Sequence, residues 1–294
     1  MNFEAIAHES VPLVSVVVPS YNHSAYISDC LQSIFEQDYP NKQIIVIDDG
    51  SSDGSPEILG ELQDKLGFEL VLQSNHGLLP TLNKALSIAK GEFFVPFASD
   101  DVMIPGRLSR QVAHLQKHPE VAICAGNVVP IGVNGETIAG YTSRSARRLD
   151  FDAVFFGAVP GAPAPSLMLR TDVVQEVGGY DESIGIEDLL MMLKITRAGY
   201  FIDVLDSEEA YYRQHDNNMH SRHEYMFYEV LNIYKMFEDY PNSEKAINKH
   251  CKSYFLKAAK RNPVLAKKIL KNVPIRSWDL KIVRGVLRLL KASV

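Results

Sequence analysis

The sequence predicts an α/β protein with a mostly parallel sheet and a helical region at its carboxyl end. Short apolar runs rich in valine, isoleucine and phenylalanine alternate with amphipathic helical segments over the first hundred residues. Polar clusters directly follow three of these runs, as expected where ligand-binding loops meet at the carboxyl ends of parallel strands. After about residue 221 the pattern becomes helical throughout.

The first elements alternate regularly along the chain. Val14 to Val18 is an apolar run that ends at Pro19 and predicts a strand buried on both faces. The segments that follow predict helices over 25–37, 56–66 and 79–89, and strands over 44–47, 68–72 and 93–97. Because strands that alternate with helices form βαβ units, the sheet is predicted to be mostly parallel.

The middle of the chain predicts a less regular series of elements. Turn signals at Asn134-Gly135 and glycines near the ends of two periodic segments set their limits. The predicted elements are a helix over 105–114, a strand over 121–133, a loop rich in glycine, proline and alanine over 157–165, and short helices over 172–177 and 189–197.

Composition restricts the class of protein. The 294 residues are 46% hydrophobic and 22% charged, which is typical of a globular chain. Cys30, Cys124 and Cys251 form no CxxC pair, so neither a disulfide framework nor a zinc site is indicated. No apolar run approaches the roughly 20 residues of a transmembrane helix, and residues 1–10 lack the basic cluster of a secretory signal. We therefore expect a cytoplasmic protein.

Charge is distributed unevenly along the chain. The net charge is −6, yet the segment from Lys245 to the end has fourteen lysines and arginines against one acid, Asp279. From Trp278 onward, apolar and basic residues alternate as in an amphipathic helix. Two interpretations stay open: a peripheral contact with the inner face of the cell membrane, or packing on the catalytic domain with a solvated basic face. No nucleic-acid partner is expected, because no helix-turn-helix, RRM or zinc pattern is present.

Two acidic clusters lie at predicted strand ends. Residues 48–51 (DDGS) follow a buried strand, where ordinary turn chemistry and hydrogen bonding to a base or ribose are both consistent with the residue types. Ser99-Asp100-Asp101 follows another strand. Its carboxylates suit a hard divalent cation that neutralises a diphosphate, although they could instead cap the next helix.

Two further clusters could take part in chemistry. Glu187-Asp188 opens a helix, where acids are stabilised by the helix dipole, and Asp188 could instead take a proton as a general base. The dipole is expected to lower the pKa of Asp188, and a weak base would suffice if a metal-bound diphosphate leaves at the same time. Arg213 and His215 either contact phosphate or metal or have a structural role.

In this order and spacing, the clusters resemble the family 2 glycosyltransferases, which have the GT-A fold. The resemblance runs from Val14 to about Asn218. It rests on VVVPSYN at 16–22, CLQSI at 30–34, IDDGSSDGS at 47–55, SDD at 99–101, GGYDE at 178–182, ED at 187–188 and YRQH at 212–215.

The resemblance implies a role for each matching residue. On the acceptor side it implies Glu187, with Asp188 as the catalytic base. It implies that Mg²⁺ or Mn²⁺ is held by Asp101 and His215. The nucleotide-sugar donor would be bound by Pro19, Tyr21, Asn22, Asp49, Lys84, Ser99, Asp100 and Arg213, with Asp49 at the nucleobase and Asp100 at the ribose and diphosphate.

The resemblance also implies the reaction. We expect a metal-dependent enzyme that moves a single sugar, with inversion, from a nucleoside-diphosphate sugar to the hydroxyl of a glycan or lipid-linked acceptor. A UDP-sugar is favoured, and bacterial surface polysaccharide or glycoconjugate assembly is the expected setting. The QxxRW motif of processive synthases is absent, which favours a single transfer. Ser99 also departs from the family, whose metal motif often begins with aspartate.

Two other functions remain open. A catalytically inactive sugar- or nucleotide-binding scaffold could have the same fold. A sugar nucleotidyltransferase would be expected to show a glycine-rich, basic loop after the first strand, where this chain has Ser20-Tyr21-Asn22-His23. The predicted domains are a GT-A catalytic domain over 1–222, with a nucleotide-binding half over about 11–101 and an acceptor-side half over 102–222, and a basic helical region over 223–294.

Overall fold

The computed structural model describes residues 11–215 and 222–291. Asn218, where the resemblance ends, lies outside these residues. The described residues form two compact units. The first comprises residues 11–150, 162–182 and 194–215, and the second comprises residues 151–161, 183–193 and 222–291. The second unit thus includes two short segments of the predicted catalytic domain in addition to the helical region.

The predicted alternation of strands and helices is present, with boundaries shifted by a few residues. The strands are β1 Val14–Ser20, β2 Lys42–Asp49, β3 Glu69–Gln73, β4 Phe93–Pro96, β5 Val102–Met103, β6 Val121–Ile131, β7 Arg147–Leu149, β8 Met168–Arg170 and β9 Phe201–Arg213. The helices are α1 Ile27–Phe35, α2 Ser55–Leu66, α3 Leu78–Ile88, α4 Arg107–Lys117, α5 Phe151–Phe155, α6 Thr171–Glu176, α7 Glu187–Arg197, α8 His223–Lys235, α9 Ser243–Arg261, α10 Pro263–Leu270 and α11 Leu280–Lys291.

One sheet holds all of these strands, in the order β3-β2-β1-β4-β8-β6-β9-β5, with β7 paired to β9. The four strands β3, β2, β1 and β4 are parallel, as predicted. Antiparallel pairs enter with β8, which lies between β4 and β6, and with β5 and β7, which pair with β9. These three antiparallel strands are only two or three residues long, and no sequence pattern predicted them.

The central strands are buried on both faces because helices cover the sheet. In β1, Val16, Val17 and Val18 have no exposed surface, and both Val16 and Val18 belong to a core that includes residues of α1, α2 and α4. Continuous burial of this kind accounts for the uninterrupted apolar runs that predicted the strands.

The second unit has its own core. Its helices α8 to α11 pack their apolar side chains together, including Phe227, Phe255, Ile269 and Ile282. Within the described residues, no helix combines the length and the apolar character that crossing a bilayer requires.

A fully buried arginine fastens two parts of the first unit. Arg107, in α4, donates hydrogen bonds from Nη1 to Pro165 O (2.8 Å) and from Nη2 to Leu167 O (3.0 Å). Its Nε donates to Gln111 Oε1 (3.0 Å), and the guanidinium lies over the ring of Phe97. Burial lowers the pKa of Arg107 to about 10, so the group stays charged at neutral pH. Arg107 therefore holds the turn before β8 against α4.

Replacing Arg107 should destabilise the fold. In Arg107→Met the two carbonyls and Gln111 lose their donors inside the protein, which should lower the free energy of unfolding by about 3 kcal/mol. Urea denaturation followed by circular dichroism measures this. Lys117→Met, an exposed position of the same helix, is the matched control and should have little effect. Equal midpoints for the two variants would contradict the assignment.

Candidate functional site

The polar clusters of the first unit lie at one edge of the sheet. Ser20 at the end of β1 is in register with Asp48 near the end of β2, and Val17 of β1 pairs with Pro96 at the end of β4. Because these strands are parallel, the loops that follow them leave the sheet on the same side. The donor candidates that follow β1, β2 and β4 therefore lie at a common edge, whereas Lys84 belongs to helix α3.

The loops after β1 and β2 are tied together through Asn22. Its backbone N–H donates to Ser51 Oγ (2.8 Å), and its Oδ1 accepts from the Ser52 amide (2.8 Å). Asn22 has a φ of 54°, a left-handed conformation that asparagine tolerates better than most residues. Tyr21, beside it, is 48% exposed and is open to a ligand. Asn22 thus shapes the loop that presents Tyr21.

Asp49 is buried and fastens a neighbouring loop. Its Oδ1 accepts from the His76 amide (2.8 Å) and Gln73 Nε2 (2.9 Å), and its Oδ2 accepts from the Gly77 amide (2.7 Å). A carboxylate has about four acceptor positions, and these three hydrogen bonds leave one of them. Lys84 Nζ donates to Gln73 Oε1 (2.8 Å), which places Lys84 in the same network.

Gly50 allows this loop to pass close to the turn after β2. Its φ is 78°, a conformation that L side chains rarely adopt. A Cβ at this position would lie 2.7 Å from the Asn75 amide nitrogen. The glycine of the DDGS sequence is therefore required by backbone packing.

The Ser99-Asp100-Asp101 segment is almost fully buried. Asp101 accepts at Oδ1 from the Arg213 amide (2.9 Å), and its Oδ2 is buried without a hydrogen-bond partner among the described residues. Burial, and then the charge of Asp100, raise the pKa of Asp101 well above its usual value. Ser20 Oγ, at the end of β1, is also buried without such a partner. Orphaned buried oxygens are costly in a folded protein, and a bound cation or ligand would satisfy them.

Arg213 lies beneath the acidic segment and supports it. Only 2% of the residue is exposed. Its Nε donates to Asp100 O (2.9 Å), its Nη1 donates to Val133 O (2.9 Å), and its guanidinium lies 4.8 Å from the centre of the Tyr26 ring. The sequence predicted a direct contact of Arg213 with the diphosphate, whereas this geometry favours a role in positioning Asp100 and Asp101.

One group of potential metal ligands forms within the described residues: His23, Asp100 and His215. One ligand atom from each lies within 4.8 Å of the others. His215 Nε2 and Asp100 Oδ2 are 2.9 Å apart, and His23 Nδ1 lies 2.7 Å from Ser99 Oγ. The sequence named Asp101 and His215 as the metal ligands. His215 is in the group, whereas Asp101 is not.

His23 is the site residue that the sequence analysis did not select. It follows the first strand directly, at the edge where the acidic clusters were expected, and that position was the available signal. The nitrogen and oxygen donors of the group are those that divalent cations use. The residues at this edge therefore fit a divalent cation.

The second unit contains the predicted acceptor-side acids. Glu187 and Asp188 form the first turn of α7, and Asp188 Oδ1 accepts from the Leu189 amide (2.6 Å). Burial, and then the charge of Asp188, raise the pKa of Glu187 to about 7, and burial raises the pKa of Asp188. The expectation that the helix dipole lowers the pKa of Asp188 is therefore wrong. Desolvation of the partly buried carboxylate is the largest effect on its pKa and outweighs the dipole here.

Comparison with known proteins identifies the family of this chain. The model of glycosyl transferase family 2 matches residues 15–178, which is more than half of the chain, and the chain belongs to that family. The poly-β-1,6-N-acetyl-D-glucosamine synthase of Staphylococcus epidermidis is 25% identical over 205 residues, which are 66% of this chain and 48% of the relative. A putative teichuronic acid biosynthesis glycosyltransferase of Bacillus subtilis is 35% identical over 108 residues, which are 36% of this chain and 43% of the relative. The chain thus matches less than half the length of these two relatives.

Solved structures share the fold. S. aureus TarS 1–349 in complex with UDP-GlcNAc superposes with a TM-score of 0.67 at 21% identity, covering 90% of this chain and 82% of that one. The mannosyltransferase PcManGT of Pyrobaculum calidifontis, in complex with GDP-Man and Mn²⁺, gives a TM-score of 0.61 at 18% identity, covering 96% of this chain and 86% of that one. The family and the fold predicted from the sequence are confirmed.

The pH dependence of stability should reveal the acid pair of α7. The pKa of Glu187 is raised in the folded protein, so its stabilising contribution is complete below about pH 4.5 and is lost as pH rises through about 7. In Glu187→Gln, the decrease in unfolding free energy between pH 5 and pH 8 should be smaller by on the order of 1–3 kcal/mol. Thermal unfolding across this range measures it.

The control for this measurement is Glu57→Gln, which replaces an exposed glutamate in the first turn of α2. It should follow the pH profile of the wild type. If Glu187→Gln and the wild type lost stability equally as pH rises, burial would not control the ionisation of Glu187.

Proposed function

We propose that this protein is an inverting, metal-dependent glycosyltransferase that moves one sugar from a nucleoside-diphosphate sugar to an acceptor hydroxyl. The proposal rests on the side chains at the carboxyl edge of the sheet, in a chain that belongs to glycosyl transferase family 2. There, buried carboxylates, two imidazoles and the exposed ring of Tyr21 lie together. A UDP-sugar is the favoured donor, supported by the UDP-GlcNAc complex of the TarS structure.

The donor would be held by residues of the first unit. Tyr21 offers an open aromatic face to a base, and Asp49 retains an acceptor position for a base N–H. Asp100 and His215 would hold Mg²⁺ or Mn²⁺, and Arg213 would keep Asp100 in place through its backbone. When bound, the cation supplies charge neutralisation for the diphosphate leaving group. The Mn²⁺ in the PcManGT complex supports a divalent cation.

The chemical step would be a single displacement. The acceptor oxygen bonds to the anomeric carbon as the bond from that carbon to the diphosphate oxygen breaks, and the electron pair leaves with the diphosphate. Asp188 takes the proton of the acceptor hydroxyl. A raised pKa makes Asp188 a better base than the first turn of a helix would suggest, provided that it is ionised at the working pH. Glu187, beside it, would carry a proton more readily and so limit the charge of the pair.

The expected setting is bacterial surface polysaccharide or glycoconjugate assembly. The printed names of the Staphylococcus and Bacillus relatives support this setting. The absence of the QxxRW motif favours one transfer over processive extension.

Nucleotide binding and turnover test the proposal together. Calorimetry with UDP, GDP, CDP and dTDP, with Mn²⁺ and with EDTA, should reveal one nucleotide that binds only with metal. Asp100→Ala should abolish that binding, whereas the exposed Asp64→Ala should leave it unchanged. Asp188→Asn should retain binding and slow sugar transfer by on the order of 10²–10⁴-fold.

The alternatives give different results in the same experiment. A scaffold would bind a nucleotide without any sugar transfer from the corresponding donor. A nucleotidyltransferase would release pyrophosphate from a nucleoside triphosphate and a sugar phosphate. Either outcome, obtained with folded protein, would overturn the proposal.

We also propose that α11 contacts an anionic membrane surface. The helix has two apolar stripes on opposite faces. Ile282 and Leu289 are buried in the core of the second unit, whereas Leu280, Val283 and Leu287 are 78%, 42% and 53% exposed. These three are spaced i, i+3 and i+7, and therefore form one stripe. One face packs on the other helices of the second unit, and the exposed stripe supports the peripheral membrane contact that the sequence left open.

Basic residues lie beside the open stripe. Arg284 and Arg288 are exposed and each follows a residue of the stripe by one position. An apolar stripe flanked by cations suits the boundary between anionic headgroups and acyl chains. A membrane partner would bring the enzyme to a lipid-linked acceptor.

Vesicle binding tests the membrane contact. Co-sedimentation with phosphatidylglycerol-containing vesicles should weaken about tenfold or more in Leu280→Ser/Leu287→Ser, because two large apolar side chains no longer insert. Leu72→Ser, which replaces a leucine that is 57% exposed in β3, is the control. Equal sedimentation of the double variant and the wild type would exclude this contact.

A further inference from the structure

The metal motif of this chain departs from the family pattern at Ser99, where similar sequences often have an aspartate. The structure places His23 against that residue, with Nδ1 2.7 Å from Ser99 Oγ. An imidazole therefore lies beside the position where the chain lacks an acid.

His23 is held firmly in this place. Its backbone N–H donates to Ser55 Oγ (3.2 Å), and its carbonyl accepts from the amides of Tyr26 (2.9 Å) and Ile27 (2.9 Å) at the start of α1. Tyr26 stacks on the ring of His215, with 5.5 Å between ring centroids. The two imidazoles are thus fixed by elements of the same unit, with their ring centroids 5.8 Å apart.

The three side chains of the group lie almost close enough to share one ion. Their ligand atoms are within 4.8 Å of one another. Bond lengths of about 2.0–2.2 Å to nitrogen and oxygen bring the ligands of one ion to within roughly 4 Å of each other. Small side-chain adjustments of His23, Asp100 and His215 would complete the set.

We infer that His23 is a third protein ligand of the divalent cation, in the place of the missing acid, and that its imidazole makes the site prefer Mn²⁺ and Co²⁺ to Mg²⁺. The inference rests on the proposed metal site and adds to it a ligand and a selectivity. Mg²⁺ favours oxygen ligands and loses its waters reluctantly, whereas imidazole nitrogen suits the later first-row metals. A site with two imidazoles and one carboxylate therefore disfavours Mg²⁺.

Metal binding without turnover tests the inference. Free Mn²⁺ is measured by electron paramagnetic resonance in titrations of the full chain, alone and with UDP, and Mg²⁺ is then added as competitor. In His23→Asn, whose amide can still bond to Ser99, the dissociation constant for Mn²⁺ should rise by on the order of tenfold or more. In His23→Asp, Mg²⁺ should compete more effectively than in the wild type.

A second measurement reports the nitrogen ligand directly. Co²⁺ bound to the wild type should show visible absorption bands that shift in His23→Asn. His118→Ala, which removes a partly exposed histidine that pairs with Glu120, is the matched control and should change neither measurement. Circular dichroism of each apo variant verifies the fold.

The outcomes separate this inference from the proposed function. If Asp100→Ala abolishes Mn²⁺ binding while both His23 variants keep the wild-type affinity and selectivity, His23 is not a ligand and the inference is overturned. If Asp100→Ala binds Mn²⁺ with the wild-type affinity, the metal site in the proposed function is overturned as well.

Discussion

The structure of the first unit depends on burying several carboxylates at one edge of a parallel sheet. Asp48, Asp49, Asp100 and Asp101 are each 7% exposed or less. Buried carboxylates are tolerated only where hydrogen bonds or cations compensate for lost water. Neighbouring backbone amides supply most of those bonds, and the hydroxyl of Ser51 supplies one to Asp48. The loops are therefore ordered by the same groups that would receive a donor.

Arg213 explains how the most crowded part of this edge is held. It binds the backbone of Asp100 through its side chain and the side chain of Asp101 through its amide. One oxygen of Asp101 still lacks a partner among the described residues, and its pKa is raised. Within the described part of the chain this oxygen is not compensated, and a polar ligand bound at this edge would satisfy it.

Much of the first unit could be predicted because its strands and helices are determined by patterns of neighbouring residues along the chain. The strands β1, β2 and β4 are continuous apolar runs, and the rule that loops meet at the carboxyl edge then collects the candidate residues. The strands β5, β7 and β8 could not be predicted, because two or three residues carry no periodicity and pair only after the sheet exists. The contacts of Arg213 and His23 depend on neighbours more than 70 residues away, which no local pattern reports.

The acids Glu187 and Asp188 show which property the sequence could not predict, namely the direction of a pKa shift. The position of Asp188 in the first turn of α7 could be predicted, and the dipole argument followed from it. The sign of the pKa shift could not, because desolvation of the carboxylate depends on tertiary packing. In α11 the sequence likewise predicted an amphipathic helix but not that it has two apolar stripes, one of which packs inward. Residue type and spacing determine which groups are available. Tertiary burial then determines whether a carboxylate can act as a base, and whether an apolar stripe stays exposed to a partner.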